Sequence, residues 1–294
     1  MKFASALAKV RRVPQKKPRP SPLDSLLRLL TLDALDRDLF LAEAPNGEGR
    51  LFGGLVAAQS ALAASATVPA ERALHSLHAY FLRPGSHGAP IRFLVDRIRD
   101  GKSFTTRRVV AHQGGEAIFN LDASFCAPEQ GIEHQDPMPE APPPDGLPDW
   151  ENLRAAMLHD TRAKRRQAVE VRVCDPDDPS GAPQPPDKRV WLRPIAKLPD
   201  DPRIHEALFV YASDRTLLST ASRPHGLPWG HRSVASLDHA MWLHRRARFE
   251  GWMLYASHSP VAHDARGLVL GAMYDARGTR VASVAQEGLV RAPR

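Results

Sequence analysis

Asp214, Ser236 and Gln286 are polar residues set where the surrounding pattern is apolar, and misplaced polar groups of this kind mark candidate sites. Asp214 falls in a segment, 203–220, that reads as one helix. Its same-face neighbours there are Ala207, Val210, Tyr211, Leu217, Leu218 and Ala221. A carboxylate centred on such a stripe is partly buried and needs a hydrogen-bonding or charged partner. A structural carboxylate, paired with an arginine or capping a loop, fits that pattern equally well. Gln286 lies on a strand among Ala282, Val284, Gly288 and Val290; Ser236 lies on a strand face with Val234, Asp238 and Ala240. Taken singly, a structural hydrogen bond is the simpler reading of Gln286, and a strand hydroxyl is commonplace. Taken together, the three would serve one water. The carboxylate would accept its proton, and the hydroxyl and amide would hold it in line. That scheme needs no serine or cysteine nucleophile.

Rival chemistries lack their motifs. The chain has no Gly-x-Ser-x-Gly elbow. It has no His-Glu-x-x-His, no paired Cys-x-x-Cys and no Gly-x-x-x-x-Gly-Lys-Ser/Thr. His75, His78, His239 and His244 sit in strand-like segments and read as structural. Cys126 and Cys174, the two cysteines, fit neither a disulfide framework nor a metal spacing. They suit a reducing, cytoplasmic setting. No cofactor and no metal is expected.

The elements that would position these residues come in two similar sets. Residues 53–64 (Gly53-Gly54-Leu55-Val56-Ala57-Ala58 onward) read as a helix with almost no polar face, which protein must enclose. The leading glycines permit close backbone approach and leave amides free at the positive end of the helix. Strands are predicted at 75–82, 91–98, 107–112 and 117–125, the last two as a hairpin around Gly114-Gly115. A second helix is predicted from Pro202, capped by Asp201. Strands at 233–244, 251–257, 267–274 and 279–290 follow, the last two joined at Asp275-Ala276-Arg277-Gly278. Ser76-Leu77-His78 and Ser236-Leu237-Asp238 are 160 residues apart, and the two hairpin turns 163 apart. That near-constant offset predicts duplication of one α+β unit. Superposing the hairpins by 163 sets Ala123 opposite Gln286. The units are placed at 23–127 and 169–294, with a Pro-rich linker and polar connector at 128–168 and a basic, Pro-rich, disordered tail at 1–22.

Charge excludes one class of partner. The net charge is +7, but Lys2, Lys9, Arg11, Arg12, Lys16, Lys17 and Arg19 lie in a tail free of Asp and Glu. Removing those seven from 40 basic residues leaves 33, against 33 acidic ones. The folded part is formally neutral, so no nucleic-acid face is expected. No apolar run reaches the length of a membrane span.

On these segments the chain resembles the acyl-CoA thioesterase II family, the TesB-like double hotdog enzymes. The matching stretches run from Leu51 to Gln59, from His75 to Gly85, Tyr211-Ala212-Ser213-Asp214, from Ser236 to His244, and Val284-Ala285-Gln286-Glu287-Gly288. They keep the family's order over about residues 21–292. The resemblance implies an α+β double hotdog, two tandem antiparallel sheets each wrapped around a long helix. It implies hydrolysis of fatty acyl-CoA to free fatty acid and CoA, and an Asp, a Ser or Thr, and a Gln that bind the attacking water. Those positions are Asp214, Ser236 and Gln286. The family more often carries a polar residue after the glycines where this chain has Leu55, a difference bearing on acyl-chain choice. Two other functions keep the same scaffold: an enoyl-CoA hydratase, for which Asp238-His239 is the adjacent pair, and a silent acyl-CoA-binding module. Open sheet edges suggest a homo-oligomer, a dimer or tetramer.

Overall fold

Apolar residues alternate along most of the strands, so their sheet has one face to bury, against a nearly all-apolar helix in the first half and a helix with a broad apolar stretch in the second. The computed structural model describes residues 20–159, 167–226 and 233–291. In chain order the elements are α1 (Pro22–Leu29), β1 (Asp33–Asp36), β2 (Leu39–Ala42), α2 (Gly53–Ser65), β3 (Ala73–Phe81), β4 (Ile91–Asp100), β5 (Phe104–Gln113), β6 (Glu116–Cys126) and α3 (Trp150–Met157). There follow β7 (Val169–Val173), β8 (Asp187–Pro194), α4 (Pro202–Ser213), a 3-10 helix (Leu217–His225), β9 (Ser233–Ser236), β10 (Asp238–Leu243), β11 (Met253–His263), β12 (Arg266–Asp275) and β13 (Arg280–Arg291).

The strands form one antiparallel sheet in the order β1-β2-β4-β5-β6-β3-β10-β13-β12-β11-β8-β7, with β9 also on β13. Read from either end, the order is the same pattern executed twice, β3 and β10 meeting in the middle. There Ala79 pairs with His239. Their separation, 239 − 79 = 160, equals that of Ser76 and Ser236, so a pseudo-two-fold axis runs through this pair. α2 packs on α4 and on β3 to β6, while the 3-10 helix packs on β11 to β13. The architecture is a double hotdog of α+β units. The amide of Gln59, buried within α2, donates to the carbonyls of Leu29 at 2.7 Å and Glu43 at 3.0 Å, tying α1 to the central helix.

Several expectations are corrected. The helix predicted at 203–220 ends at Ser213, with Asp214 as its C-cap. There the Arg215 amide turns back to the Ala212 carbonyl, and the Ser213 hydroxyl lies against that of Val210. The strand predicted at 233–244 is broken at Leu237. Ser236 pairs with Gly288 but Ala240 with Ala285, four steps against three, which is a one-residue bulge. The bulge reverses facing: Ser236 shares the inner face with Met241, and Asp238 and Ala240 turn to the other side. The sheet register also replaces Ala123 as the counterpart of Gln286. Ala79 pairs with Leu121, and one further step along the β10–β13 ladder sets His239 beside Gln286. By symmetry Leu121 takes that place in the first copy.

The polar connector at 128–168 contains α3, whose N-cap Asp149 accepts from the Asn152 amide and which buries Trp150 and Ala155; residues 160–166 lie outside the described residues. So does most of the tail expected at 1–22, of which residues 20–22 are described. β11 runs on to His263 and turns through Asp264 and Ala265, both in the left-handed region (φ 49° and 58°). The outer face of the sheet exposes Tyr80, Leu94, Ile98, Phe104 and Trp242. Among the described residues no helix is long and apolar enough to cross a membrane.

Candidate active site

Asp214, Ser236 and Gln286 come from three separate elements and meet. Gln286 projects inward from β13 and is 1% exposed. Its Nε2 carries two hydrogens, and both are used. One is donated to Asp214 Oδ1 at 2.9 Å and the other to Ser236 Oγ at 2.6 Å. The Ser236 hydroxyl lies 3.5 Å from the same Asp214 oxygen, a long contact. The bulge at Leu237 is what aims Ser236 inward. The end of α4 is what presents Asp214 at a turn, with its carboxylate forward, instead of on a helix flank.

A second helix approaches the same carboxylate. α2 has Phe52 at its N-cap and no side chain there to accept from the first amides. Asp214 fills that place from the opposite helix, accepting from the Gly54 N–H. The glycines make room for it. A Cβ on Gly53 would lie 2.5 Å from the Phe81 ring and 3.0 Å from Asp214 Oδ2; one on Gly54 would lie 2.7 Å from the Tyr211 carbonyl. Replacing Gly53 by alanine is therefore expected to displace the carboxylate. Overpacking costs about 1–3 kcal/mol, more than the ~0.5–1 kcal/mol of helix propensity regained. Denaturant melts should show Gly53→Ala less stable, and a thioester assay should show kcat reduced about tenfold.

Burial pushes the Asp214 carboxyl up to about 6, against the opposing effect of Gln286, the Gly54 amide and Ser236. Such a group is ionised at neutral pH and close enough to neutrality to take and return a proton. The carboxylate and Ser236 stand on the wall of a cavity of about 570 Å3. Phe52, Phe81, Ile118 and Leu218 give the cavity an apolar lining, and the exposed Arg50 and Arg83 share it. Among the described residues no cluster of three or more His, Cys, Asp or Glu side chains is arranged to hold a metal ion.

The pair considered for a hydratase is not assembled. Asp238 accepts from the Glu287 amide at 2.6 Å on the opposite side of the strand from the buried His239. What the sequence did not reveal is that one amide at the start of α2 is already engaged, by Asp214 itself.

The family model described as "Acyl-CoA thioesterase N-terminal domain" matches residues 42–126, and that described as "Acyl-CoA thioesterase" matches 161–289. Acyl-coenzyme A thioesterase 8 of Homo sapiens is 37% identical over 295 residues, covering 92% of this chain and 91% of the relative. The crystal structure of an acyl-CoA thioesterase II, TesB2, from Mycobacterium marinum superposes with a TM-score of 0.77 at 40% identity, covering 92% of this chain and 98% of that one. A hot dog fold protein from Alicyclobacillus acidocaldarius, 17% identical with a TM-score of 0.76 over 92% and 99%, shares the fold. The class is therefore the thioester hydrolases built on a double hotdog. Within it, the chain belongs to the acyl-CoA thioesterase family.

Proposed function

We propose that Asp214, Ser236 and Gln286 form one site in which Asp214 and Ser236, held together by the Gln286 amide, bind a water and direct it at the thioester carbonyl of a fatty acyl-CoA, releasing free fatty acid and CoA. The observation that carries this is the Gln286 amide, which joins a carboxylate of raised proton affinity to a hydroxyl at the wall of an apolar cavity. Asp214 takes the water's proton as its oxygen bonds to the carbonyl carbon. The negative charge moving to the carbonyl oxygen is met by a backbone amide at the start of α2; with Gly54 engaged by Asp214, Gly53 on the cavity wall is the one we assign. Collapse of the tetrahedral species breaks the C–S bond, and the CoA thiolate takes the proton back from Asp214.

The test is thiol release from acyl-CoAs of several chain lengths. Ser236→Thr is expected to stay within a few-fold of wild type, since the hydroxyl is kept. Ser236→Ala should lose about 10- to 100-fold in kcat. Equal activity of the Ala variant would remove Ser236 from the scheme. Loss of enoyl absorbance without thiol release would point to hydration, and binding without turnover to a silent module.

We further assign two units at 23–127 and 169–294 joined by 128–168, the three polar residues all belonging to the second. The exposed apolar side chains on the outer sheet face, Tyr80, Leu94, Phe104 and Trp242 among them, support a homo-oligomer, dimer or tetramer. Cys126 and Cys174 are free thiols, which suits a reducing compartment such as the cytoplasm.

A further inference from the structure

Gln286 suits the proposed chemistry in only one of its two amide orientations. Rotating the amide by 180° would present Oε1, an acceptor, to the Asp214 carboxylate. While Asp214 is ionised, it selects the NH2 side by itself. Once Asp214 has taken the water's proton it becomes a donor, and its preference reverses. A second group, on the far side of the amide, is needed to hold the orientation through that step.

Such a group is present. His239 is 1% exposed, and its Nε2 lies 2.8 Å from the Ser213 hydroxyl. Two atoms here, His239 Nδ1 and Gln286 Oε1, are buried and have no hydrogen-bond partner, and the β10–β13 register sets their residues side by side. An interaction with Gln286 strengthens the ring's hold on its proton, so the ring meets an acceptor there, while burial pushes its proton affinity down to about 4 and keeps it neutral. A neutral ring has one N–H to place. The Ser213 hydroxyl is also 2.9 Å from the Val210 carbonyl and has one hydrogen. If it donates to Val210, the ring proton must sit on Nε2, leaving Nδ1 and Oε1 as two buried acceptors with no donor between them. If it donates to Nε2, the ring proton sits on Nδ1 and both unpaired atoms are satisfied by one contact.

We infer that His239 is a positioning residue, its Nδ1–H donating to Gln286 Oε1 and fixing the amide with its NH2 toward Asp214 and Ser236. The relay then runs from Ser213 through His239 and Gln286 to Asp214, which is Ser213's own neighbour in sequence. This rests on the reading of Gln286 proposed above.

The test is a set of five variants in the thiol-release assay, with folding checked by thermal melts. His239→Leu is expected to lower kcat about 30-fold with KM within about threefold, because the loss falls on the reacting geometry. His239→Asn places an amide N–H near the site of Nδ1 and should return to within about fivefold of wild type. His239→Gln keeps a polar group near Ser213 but not the Nδ1 donor. It should resemble the Leu variant, and it replaces that variant should Leu fail to fold. Adding His239→Leu to Gln286→Ala should cost no more than about twofold further, since the relay ends at Gln286. A merely structural histidine would give Asn and Gln variants of equal activity, or losses that multiply in the double variant, and either result overturns the inference. Gln286→Ala at the wild-type rate would instead overturn the site reading itself.

Discussion

Asp214→Asn is expected to lower kcat by about 10³-fold while leaving KM nearly unchanged. General base catalysis of this kind contributes about 10²–10⁴-fold, and Asn keeps the shape of the side chain but cannot take a proton. The cost should fall on kcat and kcat/KM together, the signature of an interaction made only in the transition state. Steady-state thiol release over a range of acyl-CoA concentrations measures it. An Asn variant working near the wild-type rate would remove the carboxylate from its assigned role.

The same residue should set two pH dependences. Wild-type kcat/KM should rise as pH passes about 6, where the buried Asp214 ionises, and level off above. Stability should respond with the opposite sign. The native carboxyl binds its proton more tightly than an unfolded aspartate of about 3.8. Its contribution is therefore fully present below about 4 and lost as pH rises through about 6. At ~1.36 kcal/mol per pH unit, the swing is about 3 kcal/mol. His239 acts in reverse over that window. Its native proton affinity is pushed down to about 4, so its contribution is full above about 6.5 and lost as pH falls through about 4. The wild-type curve alone thus mixes two opposed slopes, and the informative quantity is the difference between Asp214→Asn and wild type. Chemical denaturation from pH 4 to pH 8 should show that difference moving by about 3 kcal/mol in favour of the Asn variant. A flat difference would mean that Asp214 is not desolvated in the native state.

The three polar residues were legible because each interrupts an apolar period, and their meeting confirms that the interruptions belong to one place. What stayed hidden was the backbone around them. Leu217, Leu218 and Ala221 continue the helical spacing beyond Ser213, and no glycine or proline marks the turn at Asp214. Periodicity therefore ran on where the chain tightens into a 3-10 segment. The bulge at Leu237 is equally silent, because an apolar residue inserted into a half-buried strand looks like one more strand residue. Its consequence was to misplace Asp238 and Ala240 on the face of Ser236. The turn through Asp264 and Ala265 lacks the glycine that usually betrays a left-handed conformation. β1 is exposed at all four residues and offers no alternation to detect. The duplication was legible as an offset, but only the sheet register could decide that Leu121, rather than Ala123, corresponds to Gln286.

The contact between Gly54 and Asp214 has a consequence for how the two copies diverge. A duplicated gene segment that loses its reactive groups is ordinarily free to drift. Here the first copy, which lacks an Asp214–Ser236–Gln286 cluster of its own, supplies the backbone N–H that holds the second copy's carboxylate, through a glycine pair where a side chain would press on Phe81, Asp214 and the Tyr211 carbonyl. A change at Gly53 or Gly54 in one half is thus expected to act on the carboxylate of the other, although they lie about 160 residues apart in sequence.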